Sequence, residues 1–284
     1  MALNVPVFLT RTASAVVFAI IVMAGLLWND YAFLVLAAVI QVLCLRDYFR
    51  LVKKITPDVI WPVGVTFIVQ VVSLLWLVMV FCSLTMDVPF MHGKPLWPLL
   101  LCMPTLLFVY TALSARTTWL VALQSITGWA YIALPVMLFT CMRMQSMLLP
   151  VMLIAMIWTN DTMAYIVGSF IGKRPFSSIS PKKTWEGTIG GAILTVVVAG
   201  IGWNLCGLFS FADWCALALC AAIAGTAGDL LESKLKRMAD VKDSGTLMPG
   251  HGGALDRFDS LLVAVPFAYG YAYFFMPSLH WVIF

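Results

Sequence analysis

Apolar runs of about 18 to 25 residues recur from one end of this 284-residue chain to the other, each long enough to cross about 30 Å of hydrocarbon as a helix. Few other folds accept such runs. Charged residues make up only 11% of the chain against 62% hydrophobic, and the mean hydropathy of +0.99 lies far above that of soluble domains. The expected fold is all-α: a polytopic integral membrane protein forming a single membrane domain over residues 1–284.

The runs place helices near 12–28, 31–45, 60–85, 96–113, 119–141, 147–171, 188–209, 212–231 and 260–282, about nine crossings in all. The first two are short and separated only by Asn29 and Asp30, so they are also compatible with a hairpin that does not fully span. With the N-terminus in the cytosol, all of the 17 Lys and Arg except Lys94 and Arg143 fall in inner segments. That asymmetry supports both the orientation and the count. Arg11 is followed by an apolar run without a small-x-small cleavage site, so the first helix reads as a retained anchor, not a signal peptide. The seven cysteines lie in or at apolar segments with no C-x-x-C spacing and read as packing residues.

Chemistry is distributed unevenly. Up to about residue 145 the acids are Asp30, Asp47, Asp58 and Asp87, all read as solvated ends of spans, so residues 1–145 form a scaffold and 146–284 the catalytic half. Asp161, in the run IWTNDTMAY, sits about ten residues from the inner end of its helix, roughly 15 Å deep. A carboxylate there needs a polar cavity or a partner. The next polar island, GKRPFSSISPKKTWEGTIGG, carries four basic residues and two prolines. It ends with Ser180, Thr184 and the Gly190–Gly191 pair around a helix start, where N–H groups and the dipole favour phosphate.

In GTAGDLLESKLKR, apolar sequence runs into charge without a breaker, so that helix continues into the cytosol. Asp229, Glu232, Ser233 and Lys236 share one face of it, and Ala224, Gly225 and Gly228 allow close helix approach. After Arg237 a glycine-rich loop leads to the last span, which opens with Asp256, Arg257 and Asp259. Acids in a first turn suit the dipole, and capping is one reading of Asp256 and Asp259. The other is a divalent-metal site in which Asp229, Asp256 and Asp259 converge as hard oxygen ligands. Zinc is not expected, because the three histidines are scattered. Carboxylates for metal, cations for anions and glycines for close backbone approach together describe phosphoryl or nucleotidyl transfer.

The run S-x-L-K-R-x4-K-D-S-G-x-L-x-P-G-H-G-G-x-x-D-R-x-D, from Ser233 to Asp259, resembles the signature of the phosphatidate cytidylyltransferases, or CDP-diacylglycerol synthases. S-P-x-K-T-W-E-G at Ser180–Gly187, N-D-T-x-A-Y around Asp161 and G-D-L-x-E-S around Asp229 resemble the same family in order and spacing. The likeness covers about residues 155 to 262. It implies CTP and phosphatidic acid as substrates, CDP-diacylglycerol and pyrophosphate as products, and Mg²⁺ as cofactor, with room for a second cation. It implies Asp229, Asp256 and Asp259 as metal ligands, Asp161 as a further cation contact, and Lys183 and Lys242 as catalytic cations. Substrate contacts would come from Ser180, Thr184, Lys236, Arg237, Asp243, Gly250, His251, Gly252, Gly253 and Arg257.

A homodimer in a bacterial inner membrane, its active site facing the cytosol and without a nucleic-acid partner, completes the expectation. A secondary transporter would also explain Asp161, but its two corresponding half-repeats are missing. A CDP-alcohol phosphotransferase would join metal, nucleotide and lipid, but D-G-x2-A-R does not occur.

Overall fold

The computed structural model describes residues 5–62, 64–85, 109, 119–247 and 252–276. The expected span 96–113 lies outside them apart from residue 109, as do Gly250, His251 and the end of the last expected span. Eight helical rods are described: α1 (Val5–Leu27), α2 (Asp30–Ile55), α3 (Val65–Thr85), α4 (Trp119–Gln145), α5 (Leu148–Ile171), α6 (Trp185–Cys206), α7 (Phe211–Met238) and α8 (Leu255–Phe275). Seven of them, α2 to α8, are long and apolar enough to cross a membrane. Among the described residues there is no β-strand, only an isolated bridge between Pro175 and Thr184. The chain is thus an all-helical polytopic membrane protein.

Helix boundaries follow local chemistry. α2 runs ten residues beyond its expected end at 45, because Arg46, Asp47, Arg50, Lys53 and Lys54 are charged without being helix breakers, and the two lysines close its last turn. It starts where Asn29 Oδ1 accepts from Ala32 N at 2.8 Å. α6 starts three residues earlier than expected, where Thr184 caps it, and ends on left-handed Gly207. α4 and α7 each contain one π segment, at Trp129–Ala133 and Cys220–Ala224.

The chain divides into two compact units, the first made of residues up to Met144 with Met238–Arg257, the second of Gln145–Arg237 with residues from Phe258. In the first unit α2 is the central rod, burying Phe33, Ala37, Ile40, Cys44, Tyr48 and Leu51. Gly128 on α4 leaves room for the Tyr48 ring, whose hydroxyl donates to Gln124 O at 3.1 Å. Trp76 of α3 packs on Trp129 of α4 with centroids 4.9 Å apart.

Arg143, near the end of α4, is buried and donates through Nε to Leu26 O at 2.9 Å, with Nη1 3.3 Å from Asp30. It satisfies a carbonyl at the end of α1 that has no helical partner. Arg143→Met is expected to lower stability by about 1.5–3 kcal/mol, the range for a charge-assisted hydrogen bond, read as a lower unfolding temperature in detergent. Asp30 is half exposed, so its ion pair adds little to that figure.

In the second unit, α5 and α6 meet through small residues. A Cβ on Gly187 would lie 2.7 Å from Ala164 O and 2.9 Å from Gly168 Cα, and one on Gly191 would meet Ala164 at 2.8 Å. Such contact gains dispersion where the hydrophobic effect gives nothing. The Gly190–Gly191 pair, expected beside phosphate, is placed here as packing: Gly190 faces Val167. At the other end of α6, Trp214 lies over Gly202, and Asp213 accepts from Ser210 N, Ser210 Oγ and the Tyr271 hydroxyl.

Candidate active site

The chemistry-bearing residues of the second unit gather around the last turns of α7. The π segment just before them shifts the helix register, a feature common near functional sites. Beyond it, Gly225 and Gly228 let the helix lie against the start of α8: a Cβ on Gly228 would strike the Asp259 carbonyl and come within 3.0 Å of Ser260 Cα. That approach brings three carboxylates together. One oxygen each of Asp229, Glu232 and Asp259 lies within 4.8 Å of the others.

Two cations serve this cluster. Lys183 Nζ pairs with Asp229 Oδ2, and Lys236 Nζ pairs with Glu232 Oε2 one helical turn away. Asp161 on α5 also feels the charges of Lys183 and Asp229, and Asp259 those of Asp229, Asp161 and Lys236. With all four carboxylates ionised they would outnumber the two ammonium groups by two, in a region where Glu232 is fully buried and Asp259 is 7% exposed. Burial on that scale needs compensation. A divalent cation would supply the matching charge, and the donors are hard oxygens of the kind Mg²⁺ takes.

The separation of Gly225 from Gly228 gives a contrast within one helix. Gly228→Ala is expected to destabilise the protein by about 1–3 kcal/mol through overpacking on the α8 backbone. At Gly225 a Cβ would sit an ordinary 3.6 Å from Ser260 Cβ, so Gly225→Ala keeps wild-type stability. Thermal unfolding of both variants in detergent checks the difference.

The upstream basic loop folds as a small hairpin on the N-terminus of α6. Phe176 N donates to Lys183 O at 2.7 Å and Trp185 N to Arg174 O at 3.0 Å, while Phe176 and Trp185 stack edge-on. Thr184 Oγ1 accepts from Gly187 N, and Glu186 Oε2 accepts from Lys173 N and Arg174 N. Thr184, expected as a phosphate contact, is thus engaged as a helix cap, while Ser180 holds the turn by accepting from Lys183 N at 3.0 Å. Arg237 is exposed.

The first unit contains the other part of the signature. Asp256 Oδ2 accepts from Ser244 N, Ser244 Oγ and Gly253 N at 2.9, 2.7 and 2.6 Å. Gly252 is left-handed at φ 83°, and a Cβ there would also meet Asp243 Cβ at 3.3 Å. Lys242, Asp243 and Arg257 are exposed.

Two residues of consequence were not expected. Glu232 was read as facing Asp229 but not as a ligand; the three-residue spacing on a common face was its signal. Asp47 was read as a solvated helix end, and the structure corrects this: it is 1% exposed, and its Oδ2 accepts from Ala254 N at 2.7 Å and Leu255 N at 3.4 Å. Nothing local in its sequence marks a partner 207 positions away.

Comparison with known proteins agrees with this chemistry. The model of a family described as the cytidylyltransferase family matches residues 9–275. The phosphatidate cytidylyltransferase of Bacillus subtilis is 47% identical over 115 residues, covering 40% of this chain and 43% of the relative. That of Synechocystis is 40% identical over 136 residues, 48% and 46% of the two chains, and that of Staphylococcus haemolyticus 37% over 176 residues, 59% and 65%. The chain thus spans less than two thirds of the length of each of these relatives.

Proposed function

This chain belongs to the cytidylyltransferase family, and from that membership we propose that it transfers CMP from CTP to phosphatidic acid, yielding CDP-diacylglycerol and pyrophosphate. The observation that carries the reading is the acidic set of half-buried Asp229 with buried Glu232 and Asp259, and Lys183 and Lys236 beside it. Three acids and paired lysines at a helix end fit handling of a metal-bound triphosphate better than transport.

In the reaction a phosphatidate oxygen attacks the α-phosphorus of CTP in line. A new P–O bond forms, the α–β phosphoanhydride breaks, and pyrophosphate leaves with the electron pair. The acceptor is a phosphomonoester with a second pKa near 6, so it is ionised at neutral pH and no general base is required. Repulsion between two anions is the main obstacle, and charge neutralisation is the main service the protein provides. Mg²⁺, held by Asp229, Asp259 and Glu232, would supply positive charge to the triphosphate, with Asp161 ordering a second cation.

Lys183 exchanges its Asp229 partner for a substrate phosphate, and Lys236 keeps Glu232 oriented. The family resemblance gives Asp256 a metal role as well. It gives Lys242 a catalytic role and gives Ser180, Thr184, Arg237, Asp243, Gly250, His251, Gly252, Gly253 and Arg257 substrate contacts. The reading includes nine crossings with a cytosolic N-terminus, a scaffold over 1–145, a catalytic half over 146–284 and a homodimer in the inner membrane. Radiolabelled CTP supplied to the purified protein with and without phosphatidic acid tests the activity. Label in lipid only with the acid is the expected result; none under either condition overturns it.

A further inference from the structure

Asp47 belongs to the half of the chain to which the sequence assigns no chemistry, yet it is among the most deeply buried carboxylates described. Its Oδ2 holds the N–H groups of Ala254 and Leu255, which open α8 just before Asp256 and Arg257. The glycines of the signature pack around it: a Cβ on Gly245 would lie 2.6 Å from Asp47 Oδ1, and one on Gly253 would strike Oδ2. Gly245 and Gly253 thus serve the contact with Asp47 by lacking a side chain.

We infer that Asp47 is a positioning residue for the signature loop: it sets the backbone that carries Lys242, Asp243, Asp256 and Arg257 and so governs turnover without touching substrate. The two carboxylates divide the loop between them. Asp256 gathers Ser244 and Gly253, while Asp47 gathers the next two amides, Ala254 and Leu255. Each amide of this run from 253 to 255 therefore donates to one of two carboxylates. The backbone is fixed at both sides of the Gly253–Ala254 peptide, and the aim of Asp256 depends on the anchor behind it. Arg46, 3.8 Å away and 58% exposed, offsets little of the charge of Asp47. The hydrogen bonds from α8 carry that compensation instead.

The inference rests on the proposed cytidylyl transfer for its activity readout, and amide hydrogen exchange of the full-length protein in detergent supplies a readout that does not. Asp47→Ala is expected to raise exchange of the peptide covering 252–256 about 10- to 100-fold and to cut turnover by a similar factor, as loss of a charge-assisted bond implies. Asp47→Asn keeps an oxygen for both amides, so it holds the loop protected and restores turnover to within about threefold of wild type. Unchanged exchange in Asp47→Ala overturns the inference. So does an Asp47→Asn protein as inactive as Asp47→Ala with the loop still protected, because charge and not position would then be at work. A wild-type protein without cytidylyltransferase activity defeats the functional proposal alone, and the exchange comparison still decides the role of Asp47.

Discussion

Asp256→Asn is expected to abolish CTP- and Mg²⁺-dependent formation of CDP-diacylglycerol, by about 10³-fold, while the protein inserts and folds as before. The magnitude follows from several kcal/mol of charge stabilisation at about 1.4 kcal/mol per tenfold. The geometry makes this substitution informative. Oδ2 accepts three hydrogen bonds from Ser244 and Gly253, and the amide oxygen of Asn can take the same position. The loop is therefore held in the variant, and what is removed is one negative charge. The sequence left two readings of Asp256 open, a cap of the last helix and a metal ligand. If it acts only as a cap, Asn replaces it with little loss. Product formation measured over a Mg²⁺ series, beside hydrogen exchange of 252–256, separates the two; near-wild-type turnover removes Asp256 from the metal set.

How far the site was legible depended on the range of the interaction. Asp229, Glu232 and Lys236 are three and four residues apart on one helix, so their shared face follows from helical geometry alone. The structure places Lys236 on Glu232 accordingly. The approach of α7 to α8 was signalled by Gly225 and Gly228, although sequence could not say which glycine meets backbone; it is Gly228. Glycine also serves a contact that the sequence did not signal. The family resemblance gives Gly253 a place near phosphate, and within its unit its bare backbone also makes room for the buried carboxylate of Asp47. Contacts of that kind join α2 to a loop two hundred residues later, and neither periodicity nor local charge encodes them. The extension of α2 to Ile55 was hidden for a simpler reason. Hydropathy locates the end of the apolar stretch, and a helix that carries Arg46, Asp47 and Arg50 continues beyond it.

Glu232→Gln carries the second large effect, because it changes the charge of the acidic cluster without changing its shape. With Asp161, Asp229, Glu232 and Asp259 all ionised against Lys183 and Lys236, two negative charges would remain for a divalent cation to match. Gln leaves one. A charge-assisted contact is worth about 1.5–3 kcal/mol, so half-saturation by Mg²⁺ is expected to move up about 10- to 100-fold. Turnover at low Mg²⁺ then collapses, and excess Mg²⁺ restores much of it. A purely structural partnership between Glu232 and Lys236 makes a different forecast, since losing that pair would lower activity equally at every Mg²⁺ concentration. The decisive measurement is the Mg²⁺ titration of initial rates for Glu232→Gln against wild type, paired with unfolding temperatures of both. A parallel loss with an unchanged midpoint takes Glu232 out of the cation site and leaves Asp229 and Asp259 to hold it.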